Sequence, residues 1–115
     1  MASSARLSQM TVEKIEVVDF IGIDDPTGRA VLTISDHLPW EDVKSHLFIL
    51  QEKLNAYLRF IECGEMTAKR PELAGRAIII SVFLKFPIPN EAEWFFAKTL
   101  AAIEAAGFGF EVRSL

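Results

Sequence analysis

Between positions 39 and 63 the apolar residues fall three or four apart: Val43, Leu47, Leu50, Leu54, Leu58 and Ile61, with Trp40 opening the same stripe. That spacing commits one face of a long amphipathic helix to a buried surface. Pro39 suits the first turn of such a helix and Gly64 its stop. Phe48, Ile49, Tyr57 and Phe60 widen the apolar face beyond one stripe, so the helix either lies deep between layers or touches a partner. Its flanks have a different character. Residues 29–35 (RAVLTIS) and 77–86 (AIIISVFLKF) have strand composition. A helix between two strands returns the chain to the end where the first began, which makes those strands parallel within one sheet.

The remaining segments complete the pattern. Residues 14–23 (KIEVVDFIGI) are rich in β-branched and aromatic side chains, and the DDPTG turn at 24–28 joins them to 29–35 as a hairpin. Asp19 falls on the parity of Ile15, Val17 and Ile21, and a bulge is the simplest way to turn it out. Residues 65–76 form a connection carrying Lys69, Arg70 and Arg76. In the strand at 77–86, Ile78, Ile80, Val82, Leu84 and Phe86 point one way, while Ile79 and Phe83 share the other face with Ser81 and Lys85. Asn90 stands three residues before Glu93, the spacing of a capping box, and predicts a second helix over 91–106 with Phe96, Leu100 and Ile103 inward. Phe108, Phe110 and Val112 alternate in a closing strand. The order is ββαβαβ, an α+β chain. Right-handed crossovers predict a two-layer α/β sandwich with a mixed four-stranded sheet and two helices on one face. Residues 1–13 read as a flexible tail and 14–115 as a single domain.

Charge and cysteine content remove whole classes of function. The formal net charge is −4, the wrong sign for phosphate neutralisation, so no nucleic-acid partner is expected. The same balance argues against a basic membrane-surface patch, and the longest apolar run, at 77–84, is far short of the roughly 18 residues a span requires. No secretory apolar run opens the sequence, which points to the cytoplasm. The lone Cys63 cannot form an internal disulfide and, inside a helical pattern, is expected to be a small buried apolar group.

The stretch SDHLPWED, residues 35–42, gathers an Asp–His pair, a tryptophan and two further acids. It is tempting to add Asp24 and Asp25 as metal ligands, but they precede a strand whose length sets them about 20 Å from Asp36 and His37. His37 and His46 are nine residues apart, which is not a helical metal pair, so no metal or cofactor is expected. Much of SDHLPWED is helix-start chemistry. Asp36 can accept amides of the turn, Pro39 fixes a dihedral, and Glu41 and Asp42 suit the positive end of the helix dipole. With Glu91 and Glu93, those acids disfavour a phosphate site at the two helix starts. Adjacent Asp36 and His37 point opposite ways on an extended segment, so no catalytic residues are assigned. A candidate pocket remains where three parallel strands end, formed by His37, Trp40, Asn90 and Arg113. The basic residues Lys69, Arg70 and Arg76 fall near Asp24 and Asp25 and are expected to pair with them in solvent.

Trp94, Phe95 and Phe96 span about 200° of a helix and cannot all face one core. Trp94 shares a face with Lys98, Ala101 and Ala105, a small-residue surface that lets another helix approach. Trp94 and Phe95, with Phe83 and Phe20 on the uncovered sheet face, form the candidate interface. The IGID strand end, the segment TGRAVLTISDHLPW and the helix LQEKLNAYLRFIECG resemble a family of small bacterial proteins of unknown function, over residues 14–112. The resemblance implies a bacterial, intracellular, stand-alone domain and transfers no catalytic or binding residue. Taken together, these features lead to the expectation of a non-enzymatic protein-interaction domain acting as a homodimer, for example a toxin-neutralising protein or an accessory subunit. The alternative is a small-molecule binder or minor enzyme using the His37/Trp40/Arg113 edge.

Overall fold

The computed structural model describes residues 20–114. The tail at 1–13, the strand segment at 14–19 and the Asp19 bulge lie outside the described residues. The elements are β1 (Phe20–Ile23), β2 (Ala30–Asp36), α1 (Val43–Glu62), α2 (Glu65–Lys69), a 3-10 turn (Pro71–Leu73), β3 (Ile78–Leu84), a second 3-10 turn (Asn90–Ala92), α3 (Glu93–Ala105) and β4 (Gly109–Ser114). They form an α+β fold with a mixed four-stranded open sheet in the order β1-β2-β3-β4. β1 runs antiparallel to β2, while β2, β3 and β4 are parallel.

The hairpin is closed by its turn chemistry. The amides of Thr27 and Gly28 both donate to the Asp24 carbonyl. Gly28 takes a left-handed φ of 74°, which side chains resist. β2 then alternates strictly: Ala30, Leu32, Ile34 and Asp36 are buried, and the residues between them are half-buried. The register aligns that buried set with Ile78, Ile80, Val82 and Leu84 of β3. Phe110 continues the layer through its pairing with Ile80. Above it pack Leu47, Leu50, Leu54 and Tyr57 from α1 and Phe95, Phe96 and Ile103 from α3. Each fully buried Leu or Ile contributes about 1.5–3 kcal/mol relative to exposure. Tyr57 keeps its hydroxyl satisfied by donating to the Thr33 carbonyl at 2.7 Å.

Several boundaries differ from expectation, each for a local reason. α1 begins at Val43, not Pro39, because Asp42 is its N-cap and accepts the Ser45 amide at 3.2 Å. Glu41 and Asp42 thus precede the helix, and Trp40 is free of it. The long connection is partly helical: α2 and the turn after it bury Met66 and Leu73 against the core. Asn90 does not cap α3. It opens the 3-10 turn, and the N-cap position is Ala92, fully buried and with no side-chain cap. In α3 the inward residues are Phe95, Phe96 and Ile103, whereas Leu100 is 38% exposed. The helix is rotated so that two consecutive phenylalanines enter the core, stacked edge to face at 5.4 Å. β3 ends at Leu84, leaving Phe86 outside the sheet and exposed. Cys63 is exposed at the C-cap of α1.

Candidate functional site

The densest polar arrangement joins the end of β2 to the start of α1. β-strand parity turns Asp36 toward the helices, on the side of Ile34 and Leu32, where water cannot reach it. His46 lies in the first turn of α1, its amide bonded to the Asp42 carbonyl at 3.0 Å. The two side chains meet with His46 Nε2 at 2.5 Å from Asp36 Oδ2. The second carboxylate oxygen accepts the Leu38 amide at 3.0 Å, and the Asp36 carbonyl accepts the Lys85 amide at 2.9 Å. Trp40 covers the pair. Its ring stacks on the imidazole, 3.7 Å between centroids and 16° between planes, and meets Phe96 edge-on at 6.3 Å. Its indole N–H donates to the Phe86 carbonyl at 3.3 Å.

With Asp36 as a carboxylate, Nε2 of His46 carries the ring proton and donates it. A charge-assisted hydrogen bond of this kind contributes about 1.5–3 kcal/mol. The remaining ring nitrogen, Nδ1, is buried and has no partner among the described residues. Acid–imidazole couples that catalyse leave the free nitrogen open to a substrate. Here His46 is 3% exposed beneath Trp40, so the couple acts as a strut between strand and helix. Two turns further along the same stripe, Lys53 is also wholly buried, with its ammonium 5.6 Å from the Tyr57 ring centroid.

A second polar cluster lies on the face of the sheet turned away from the helices. Ser81 Oγ donates to Glu111 Oε2 at 2.5 Å, and Arg113 Nη2 donates to Glu111 Oε1 at 3.1 Å with its Nε 3.1 Å from Oε2 in an ion pair. The hydrogen bond from Arg113, and next that from Ser81, hold the Glu111 carboxyl below its usual value. The same bond to Glu111 raises the Arg113 guanidinium. At the α1 cap, the Ser45 amide and then its hydroxyl likewise lower Asp42.

The candidate pocket set is divided by the sheet. Arg113 pairs in register with Phe83, which pairs with Ser35, so it lies on the face opposite Asp36. Trp40 is turned onto His46, while His37 and Asn90 are exposed. No hydrogen bond joins His37, Asn90 and Arg113 to one another among the described residues. Of the candidate interface set, Phe20 is 63% and Trp94 57% exposed, Phe83 is half-buried, and Phe95 is buried. Phe95 and Trp94 line a groove of about 330 Å³ between α1 and α3, with Gln51, Leu54, Asn55, Lys98, Thr99 and Ala102. Lys69 and Arg70 pair with Glu65 and Glu72, and Arg76 donates to the Gly28 and Glu72 carbonyls, in place of the expected pairing with Asp24 and Asp25. Asp24 instead accepts from the Thr27 hydroxyl.

Sequence reasoning missed the Asp36–His46 couple, though two signals for it existed. Asp36 has the parity of Ala30, Leu32 and Ile34, and His46 has the helical phase of Leu50, Lys53 and Tyr57. Among the described residues no three His, Cys, Asp or Glu side chains are placed to hold a metal ion, and no helix is long and apolar enough to cross a membrane. No curated protein and no solved structure matches the chain. Residues 10–115, which include every described element, match a family of unknown function, DUF6572, and the chain belongs to that family.

Proposed function

We propose that this is a non-enzymatic protein-interaction domain of the bacterial cytoplasm, and that its partner seats on the helix layer. One observation carries the reading: Trp94, a large aromatic side chain 57% exposed, stands at the lip of the groove between α1 and α3. Phe48, 62% exposed, precedes Gln51 and Asn55 on the same stripe of α1, so the apolar surface extends beyond the groove itself. Exposed tryptophans beside small residues are the usual anchors of protein interfaces. Lys98, the one charged residue lining the groove, favours a partner that presents an acid next to an apolar side chain. The alternative, a small-molecule site at the His37/Trp40/Arg113 edge, has less support, because Trp40 is engaged with His46 and Arg113 with Glu111.

The test uses the immobilised full chain and three variants: Trp94→Glu, Phe20→Glu and His37→Ala. A protein retained by the wild type, by Phe20→Glu and by His37→Ala but lost by Trp94→Glu supports the reading. Retention by all four proteins sinks the groove as the binding surface. A metabolite that raises the melting temperature of the wild type but not of His37→Ala favours the alternative.

A further inference from the structure

We propose that β4 is a homodimer edge, pairing antiparallel with β4 of a second copy about a two-fold axis at Val112. β4 is the last strand of the sheet, and β3 takes only its inner side. Its outer backbone groups have no strand partner among the described residues. Soluble proteins usually blunt such an edge with proline, a bulge or charges of one sign. β4, of sequence GFEVRS, carries no proline, and its two charged residues have opposite signs.

Their spacing makes the strand complementary to itself. Glu111 and Arg113 are two residues apart and share the face of the sheet turned away from the helices. Antiparallel pairing centred on Val112 sets Glu111 opposite Arg113 of the second copy, and Arg113 opposite its Glu111. Phe110 then faces Ser114 of the second copy. Directly opposed unlike charges stabilise a strand pair, and like charges destabilise it. A two-fold pairing also closes on itself and yields a dimer rather than a fibre.

The helix layer carries a second, independent sign. The α3 residues Trp94, Lys98, Thr99 and Ala102 line the groove facing α1. At 100° per residue, Leu100 falls on the opposite flank of α3. α3 packs over β4, at the edge of the sheet, so that flank overhangs the outer side of β4. Leu100 is 38% exposed there, between Ala97 and Glu104 on the helix surface. A second copy joined at β4 brings its own α3 beside this flank and covers Leu100.

This surface is distinct from the Trp94 groove, so either proposal can fail alone. The experiment measures the mass of the full chain in solution by light scattering and sedimentation equilibrium at micromolar concentrations. The wild type is expected to be a dimer, and so is Trp94→Glu. Glu111→Arg and Arg113→Glu, each alone, turn two attractive cross-strand pairs into two repulsive ones and weaken the dimer about tenfold or more. Mixing the two variants sets opposite charges across the axis again, so a heterodimer returns although each chain keeps its own internal repulsion. Leu100→Glu, at an exposed position, weakens the dimer without touching the strand and decides the matter if a charge reversal unfolds the chain. A monomeric wild type, a dimer indifferent to the reversals and to Leu100→Glu, or folded variants that stay monomeric when mixed would each overturn the proposal.

Discussion

Two couples, each a carboxyl group with a nitrogen base, occupy opposite faces of one sheet. Asp36 and His46 meet on the helix side with side chains 0% and 2% exposed, whereas Glu111 and Arg113 meet on the opposite side at 30% and 59%. The chemistry is similar, and the surroundings decide what each couple does. In the buried couple, losing one partner leaves the other desolvated, so its removal costs far more than the bond itself contributes. At the open couple water replaces whatever is lost, and the bond is worth little to stability. That difference frees Glu111 and Arg113 for recognition and commits Asp36 and His46 to the fold.

The largest effect should come from breaking the buried couple on one side only. His46→Ala strands the Asp36 carboxylate and leaves a cavity, at a cost of about 3–5 kcal/mol in urea unfolding. Asp36→Asn retains an acceptor for the ring and costs less, about 1–3 kcal/mol. The sharper test is the double variant Asp36→Leu/His46→Leu, in which no polar group is stranded. It should recover most of the stability lost in His46→Ala. A double variant less stable than the single would mean that the couple contributes net stability beyond satisfying itself.

Trp40 comes next. It is half-buried, so Trp40→Ala is expected to cost less than a core tryptophan, about 2–3 kcal/mol by thermal unfolding. It also removes the cover from His46. In the wild type an imidazole-acylating reagent should modify exposed His37 and spare His46; in Trp40→Ala both should react. Equal protection of His46 in the two proteins would show that the α1–α3 packing, rather than the indole, seals it.

Much of the fold was legible because it depends on short-range period. The change from two to three-or-four spacing marked β2, α1 and β3, and the DDPTG turn marked the hairpin. α2 was not legible, since five residues give too little periodicity to separate from a loop. The start of α1 was misplaced because Pro39 and Asp42 are both good helix-start residues, and only the Ser45 amide bond selects Asp42. The site suffered most from that shift. His46 bonds a residue ten positions away, across a turn whose path no local rule supplies. SDH also drew attention to His37, the histidine that faces water, and away from the one that does not. The burial of Phe95 was not legible for a related reason, because a helical wheel cannot say which of three consecutive aromatics turns inward.

The smallest effect should come from the open couple, and its pH dependence separates charge from hydrogen bonding. Glu111 has a depressed folded value, first because of the Arg113 hydrogen bond and then because of Ser81. A carboxyl lowered in the folded state contributes stability that is fully present above its unfolded value, about 4.3, and is lost as pH falls through the folded value. With solvent screening that contribution is under about 1 kcal/mol at neutral pH. The melting-temperature gap between wild type and Glu111→Gln should therefore be small at neutral pH and close on acidification below that range. Far more of the stability carried by the buried couple rests on satisfying desolvated groups than on a titrating surface charge, so the loss in His46→Ala should dwarf this gap at neutral pH. A Glu111→Gln gap that stays constant in acid would assign the contribution to the Ser81 hydroxyl bond, which the amide can also accept, and would remove the charge from the account of the monomer while leaving its role across the β4 edge untouched.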